Sequence, residues 1–339
     1  WLDWPEPDRS WPQTRDPAAT ADLEAEIGYQ TFLQYEFLRQ WNRVRAHAHS
    51  RGIRLMGDVP FYVGVDSVEV WAGRENFLLD SDGRPSFIAG VPPDYFSATG
   101  QRWGNPIYDW DRLRADGYRF WVERIGYCQT LFDLIRIDHF RAFDTFWKIP
   151  ATCPTAVEGA WIEAPGYEVL DTLYAKLPGL QLVAEDLGDL RPQVLTLRDH
   201  YRLPGMKVLE FTLQPVGRYV RDLGEDRPRQ IVYTGTHDND TVQAWYASLS
   251  ASYRRKLRKY LKTQGLQSGT MARRLILLGL RSRAALFVAP LQDVLSLGAA
   301  GRMNLPGAVG SPNWEWRLDS WPETARQLKA LRPAILARR

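Results

Sequence analysis

The sequence predicts an α/β fold of the (β/α)8, TIM-barrel type, with this chain of 339 residues supplying about six of the eight strands plus inserted loops. Three observations predict it. Short apolar runs of strand length each reach a carboxylate at or just past their C-terminal end, and helical stretches alternate with them. One connection is also far longer than the ~2–6 residues usual between a strand and a helix.

The elements follow in chain order. From about Ala21 to His49, Ile27, Leu33, Phe37, Trp41 and Val44 recur at helical spacing, and Gly52 lies just past the end, so this stretch reads as an amphipathic helix with a glycine stop. It leads into Ile53–Met56, a strand that finishes at Gly57-Asp58. Leu131–Ile137 then ends at Asp138, Leu180–Ala184 at Glu185, and Met206–Leu209 at Glu210-Phe211. Ile231–Tyr233 runs into His237-Asp238, and Leu286–Ala289 into Gln292-Asp293. Trp110–Tyr127, Arg191–His200 and Met271–Arg281 read as crossover helices, and the polar stretch 251–268 as a mobile helical insertion.

Residues 59–118, rich in glycine, proline and aromatics, are expected to form a loop subdomain over the site, within a catalytic barrel portion spanning 1–339. A barrel gathers its strand C-termini on one face, so acids repeated at those ends converge on a site. Aspartate after a strand is also a common helix cap, and Asp293 reads as well that way as the other.

Composition narrows the partners. The 43 basic and 40 acidic residues are dispersed rather than run together, which points away from nucleic acid and from anionic membrane. No stretch approaches the ~18 consecutive apolar residues of a membrane span. Cys128 and Cys153 are too few for a disulfide framework or a thiolate metal cluster, and a reducing, cytoplasmic setting is expected. Aromatic residues make up 12% of the chain; such rings serve sugar clefts, where pyranose faces stack, and equally serve as plain core.

Glycoside transfer with retention needs an ionised carboxylate nucleophile and a second carboxyl that starts protonated. Arg136 lies two residues before Asp138, on the same strand face, where a cation keeps the aspartate ionised. Glu185 follows the apolar Leu182-Val183-Ala184, a setting that favours the protonated form. His237 and Asp238 could grip sugar hydroxyls. His237-Asp238-Asn239-Asp240 also has the oxygen-rich character of a cation loop, but without EF-hand spacing. His139 reads as a structural histidine or a sugar ligand, and Tyr95, Phe96 and Trp103 as core or cleft.

Seven ordered segments carry a more specific signal. They are Gly57-Asp58-Val59-Pro60, Gly90-Val91-Pro92-Pro93-Asp94-Tyr95-Phe96-Ser97, Trp103-Gly104-Asn105-Pro106, Arg136-Ile137-Asp138-His139-Phe140-Arg141, Ala184-Glu185-Asp186-Leu187-Gly188, Thr234-Gly235-Thr236-His237-Asp238-Asn239-Asp240 and Arg302-Met303-Asn304-Leu305-Pro306-Gly307. Together they resemble the amylomaltases, or 4-α-glucanotransferases, from Trp1 to about Arg317. The resemblance implies that Asp138 is the nucleophile, Glu185 the acid/base and Asp238 the third catalytic acid. It further implies sugar contacts from Asp58, Arg136, His237 and Asn304, and from a loop bearing Asp94, Tyr95 and Phe96 with Trp103 beside it. The implied substrates are α-1,4-glucans and maltooligosaccharides, and no metal or organic cofactor takes part.

Two positions depart from the family's usual pattern: Ala142 stands where glycine is common and Glu210 where glutamine is. Family members also ordinarily carry an N-terminal stretch holding the first two barrel strands, and a missing segment of the same protein is therefore an expected partner. A hydrolase using the same carboxylates and a catalytically silent glucan-binding fragment are the alternative functions.

Overall fold

Six parallel strands form at or beside the predicted apolar runs, with shifted bounds, in a computed structural model that describes residues 1–93, 97–188, 190–213, 229–308 and 310–337. The chain divides into two units, Trp1–Leu203 and Pro204–Arg339.

The first unit contains β1 (Met56–Val59), β2 (Phe87–Val91), β3 (Gln101–Pro106), β4 (Leu134–Ile137), β5 (Thr145–Pro150), β6 (Ala160–Glu163) and β7 (Leu182–Ala184). Strands β1, β4 and β7 make a parallel sheet in the order β1-β4-β7. Ile135, Ile137, Leu182, Val183 and Ala184 are all buried, so these strands are covered on both faces, as a continuous apolar run requires. Strand β1 begins later than Ile53–Met56 suggested. The Leu55 carbonyl accepts from Asp133 and Leu134 N–H groups and its own N–H donates to the Asp133 carboxylate, which places Met56 opposite Leu134 and Asp58 opposite Arg136. Gly57 is required there because a Cβ would lie 2.2 Å from the Phe132 ring packed on the strand.

Strands β2, β3, β5 and β6 form an antiparallel sheet in the order β3-β2-β5-β6. The excursion 59–118 thus contributes two of its strands, and a second excursion after β4 contributes the others. Beneath lies an aromatic core. Phe61 sits 4.9 Å from Phe143, 5.2 Å from Trp121 and 5.7 Å from Tyr108, ring centre to ring centre, and the Tyr108 hydroxyl donates to the Phe61 carbonyl at 2.6 Å. A large share of the aromatic content is therefore packing.

Two helix expectations need correction. Trp110–Tyr127 is not continuous: one helix runs Trp110–Ala115 and another Arg119–Leu131, because Gly117 (φ 70°) and Tyr118 (φ 56°) adopt the left-handed conformation between them. The long helix does form, as Glu24–His49, with Gly52 (φ 69°) just beyond it. Its apolar stripe, however, is not buried: Ile27, Leu33, Phe37 and Val44 are exposed, and the contacts lie near its C-terminal end, where the Trp41 indole donates to the Leu131 carbonyl.

The second unit contains β8 (Gly205–Val208), β9 (Gln230–Tyr233) and β10 (Leu286–Val288), parallel in the order β10-β9-β8. The polar stretch 251–268 holds the helix Ala251–Thr263, anchored by Leu257 and Leu261, both fully buried beside Leu275 of the helix Met271–Leu280. The architecture is thus α/β, with two three-stranded parallel sheets among the described residues, neither of them closed there. No described helix is long and apolar enough to cross a membrane.

Candidate active site

Within the first unit, parallel pairing aligns the ends of β1, β4 and β7. The ladder continues past the strands: Asp138 N–H donates to the Val59 carbonyl at 3.0 Å and Glu185 N–H to the Ile137 carbonyl at 3.1 Å. Asp58, Arg136, Asp138 and Glu185 are thereby brought together at one end of the sheet. Arg136 is almost fully buried and donates from Nη1 to both carboxylate oxygens of Asp58 at 2.7 Å, while its Nη2 lies 3.0 Å from Asp138 Oδ1. Its own acidity is weakened: burial opposes its charge, and the Asp58 and Asp138 carboxylates more than offset that, so its pKa is raised.

Glu185 is held differently. Its Oε2 accepts from the His139 N–H at 2.9 Å and its Oε1 from the Leu187 N–H at 3.0 Å. Burial, with the Asp138 charge adding, pushes its carboxyl up to about 7, against the opposing pull of Arg136 and the two N–H donors. The neighbouring Asp186 is engaged elsewhere, paired with Arg198. One carboxylate faces a guanidinium and the other is desolvated, a pair of environments that pushes two acids towards opposite protonation states.

Trp103, on β3, is 38% exposed, with its ring centre 4.8 Å from that of His139 and 6.2 Å from that of Tyr62. Asn105 donates to the Val63 carbonyl at 2.8 Å and ties this strand to the segment after β1. Asp94, Tyr95 and Phe96 lie outside the described residues.

The second unit holds a cluster of its own. Asn304 Nδ2 donates to Asp238 Oδ1 at 2.6 Å, its N–H donates to the His237 carbonyl at 3.2 Å, and Arg302 donates to the Asp238 carbonyl at 2.9 Å. His237 Nε2 stands 3.4 Å from Asp238 Oδ2. Asn239 turns back on its own loop, accepting from the N–H and hydroxyl of Thr236. Sequence reasoning missed Trp314, whose ring, 62% exposed, lies 5.1 Å from that of His237. Only the turn residues Pro312-Asn313 before it gave any signal.

Exposure sorts the strand-end acids. The side chains of Asp58, Asp138 and Asp238 are 39%, 43% and 42% exposed, able to meet a ligand. Glu210 and Asp293 are buried. Asp293 lies inside the helix Leu291–Val294 and so is not the cap of the helix after its strand; it accepts from the Thr234 hydroxyl at 2.6 Å and from the Val242 N–H at 2.8 Å, tying β9 to the start of the helix Val242–Ser248, whose N-cap is Thr241.

Comparison with known proteins gives the family. The family described as 4-alpha-glucanotransferase matches residues 1–323. The 4-alpha-glucanotransferase of Thermus thermophilus is 45% identical over 98% of this chain and 68% of its own length. Those of Synechocystis and of Solanum tuberosum, the latter chloroplastic/amyloplastic, are 43% and 40% identical over 94% of this chain, which spans 63% and 55% of their lengths. An amylomaltase from Streptococcus agalactiae, solved in complex with acarbose, superposes with a TM-score of 0.89 at 32% identity, over 98% of this chain and 68% of that one. An amylomaltase from Corynebacterium glutamicum, at 18% identity and a TM-score of 0.74 over 91% of this chain and 49% of that one, shares the fold.

Proposed function

The chain belongs to the 4-alpha-glucanotransferase family, and from that premise we propose that it carries the reacting groups of a retaining enzyme that moves an α-1,4-glucan segment to the 4-hydroxyl of another glucan or of glucose. The observation that carries the reading is the unlike pair of acids: Asp138 3.0 Å from the Arg136 guanidinium, and Glu185 half-buried, with desolvation pushing its carboxyl up to about 7.

Asp138 attacks the anomeric carbon as Glu185 passes its proton to the departing 4-oxygen, leaving a β-linked glycosyl-enzyme on Asp138. Glu185, now a carboxylate, then takes the proton of the incoming 4-hydroxyl as that oxygen displaces Asp138. The half-exposed Asp238, fixed by Asn304 and beside His237, is suited to accept hydroxyl protons of the reacting sugar and to stabilise the positive charge of an oxocarbenium-like ring. Asp58 and Arg136 are assigned sugar contacts at the rim of the first cluster, and Trp103 with Asp94, Tyr95 and Phe96 an acceptor-side wall. The finer architecture, a (β/α)8 barrel with 59–118 as an inserted subdomain, is proposed on the six parallel strands and their terminal acids. The open edge of β1 and the uncovered stripe of the helix Glu24–His49 support a further segment of the same protein as the partner that completes it. A cytoplasmic location is proposed as well, on the two cysteines, both unpaired.

Incubation with maltotriose tests the activity: transfer yields glucose and a ladder of longer maltooligosaccharides, whereas a hydrolase yields only shorter ones. For the roles, Glu185→Gln treated with an α-glycosyl fluoride should accumulate a covalent intermediate, because fluoride leaves without acid assistance. Mass spectrometry that placed the sugar on Asp186 or Asp238 instead of Asp138 would sink the assignment.

A further inference from the structure

His139 has no assigned part in this chemistry, yet it touches both the acid and the aromatic wall. We infer that His139 is a positioning residue that ties Trp103 to Glu185, its main chain orienting the carboxyl and its ring bracing the indole. The inference rests on the reading of Glu185 as acid/base.

Four observations carry it. The residue adopts φ 53°, ψ 45°, the left-handed conformation in which a Cβ crowds the following carbonyl at a cost. That turn aims its N–H at Glu185 Oε2, 2.9 Å away, and lets the following Phe140 N–H reach the Glu185 carbonyl at 3.2 Å. Both the head and the backbone of the acid are thus gripped by one dipeptide. On the other side, the imidazole meets the Trp103 ring edge-on at 4.8 Å and leans on Tyr62 at 6.3 Å, and Tyr62 is itself buried and stacked 6.1 Å from Tyr108. Finally, His139 Nε2 is buried and makes no hydrogen bond among the described residues, so the contacts that fix the ring there are those with Trp103 and Tyr62.

The ring stays neutral through the working range. Burial, with Arg141 adding, pushes its pKa down to about 3, so no charge on His139 competes with Arg136 and Asp138, the charged groups that act on Glu185. What His139 supplies is geometry. A sugar seated against Trp103 presses on a ring fixed to the same residue that holds the acid, which makes acceptor binding and the placement of the Glu185 proton parts of one rigid unit.

Two substitutions separate the two halves. His139→Gly accepts the left-handed turn and keeps the N–H in place but removes the ring; with glucose as acceptor, its KM should rise about three- to tenfold while the basic limb of the kcat/KM profile stays put. His139→Val cannot hold that turn, and loss of one N–H bond to the ionised carboxylate should move the basic limb upward by about one pH unit. Tm measured alongside reports the folding of each variant. If both variants show wild-type acceptor KM and an unmoved limb in the folded protein, or if both parameters move together in His139→Gly, the inference is overturned. The reading of Glu185 fails separately, in the wild type, if no basic limb near 7 exists or if Glu185→Gln leaves it in place.

Discussion

Replacing Glu185 by glutamine should make the protein less active and, above neutral pH, relatively more stable. The carboxyl sits at 4.5 in an unstructured chain and about 7 in the fold. Between these values the folded state holds a proton that the unfolded state has lost, so stability falls as pH rises from 4.5 to 7 and is level above that. At about 1.36 kcal/mol per pKa unit, the loss amounts to roughly 3 kcal/mol, an upper figure because the side chain is not wholly shut off from solvent. Glutamine carries no such linkage, but it can accept only one of the two N–H bonds from His139 and Leu187, a pH-independent cost of about 1–3 kcal/mol. The decisive quantity is therefore the change in the difference between the two proteins, measured by urea unfolding at pH 4.5 and pH 8. It should shift by up to about 3 kcal/mol in favour of the variant at the higher pH. Transfer from maltotriose should fall by about 10²–10⁴-fold, the range for loss of a general acid. Parallel stability profiles for the two proteins would refute the picture of a buried proton-holding acid.

Glu210 invites the same experiment: its carboxyl is pushed up to about 9 by burial and then by Asp293 and Asp240, against Arg302, so Glu210→Gln should gain on the parent by roughly 1 kcal/mol per pH unit from pH 5 to 8. A constant gap on urea unfolding would contradict that. Asp293→Ala strips the acceptor from Thr234 and Val242 and should cost about 2–4 kcal/mol, while Asp293→Asn should keep activity; a dead asparagine variant would make Asp293 more than a structural acceptor. Trp103→Ala should raise the ratio of hydrolysis to transfer more than it lowers cleavage, as scored by product chromatography; an unchanged ratio returns the ring to packing. Asp58→Asn should move the basic limb of kcat/KM to lower pH, because Arg136 then acts on Glu185 less compensated; an upward or absent shift would count against this.

The parallel strands were legible because burial on both faces leaves an uninterrupted apolar run, and a carboxylate at its end is conspicuous: Leu182-Val183-Ala184 before Glu185 is the clearest case. The antiparallel sheet was not. Its strands contain Gly90, Gly104, Pro106 and Pro150, which read as breakers, and its pairing joins Gly90 to Trp147 across a long stretch of chain that local pattern does not register. The break at Gly117-Tyr118 hides inside a stretch with good helical spacing. In Glu24–His49 periodicity revealed a stripe but carries no information on what covers it. Trp314 shows the same limit at the site, since an aromatic on a loop has no period to betray it.

The first cluster also explains why three charges serve better there than two. A lone guanidinium beside Asp138 would keep the nucleophile ionised but would also pull Glu185 towards ionisation, which defeats an acid. Asp58 accepts from Arg136 with both oxygens at 2.7 Å, so a second carboxylate takes up part of that cation, and burial stays the largest influence on Glu185, ahead of Arg136 and then Asp138. Asp138 still has its cation at 3.0 Å, through the other terminal nitrogen of the same guanidinium. The nucleophile responds to the nearest charge, while the acid responds first to its desolvation, and a register that sets Asp58 opposite Arg136 shares the guanidinium between two carboxylates from one pair of adjacent strands.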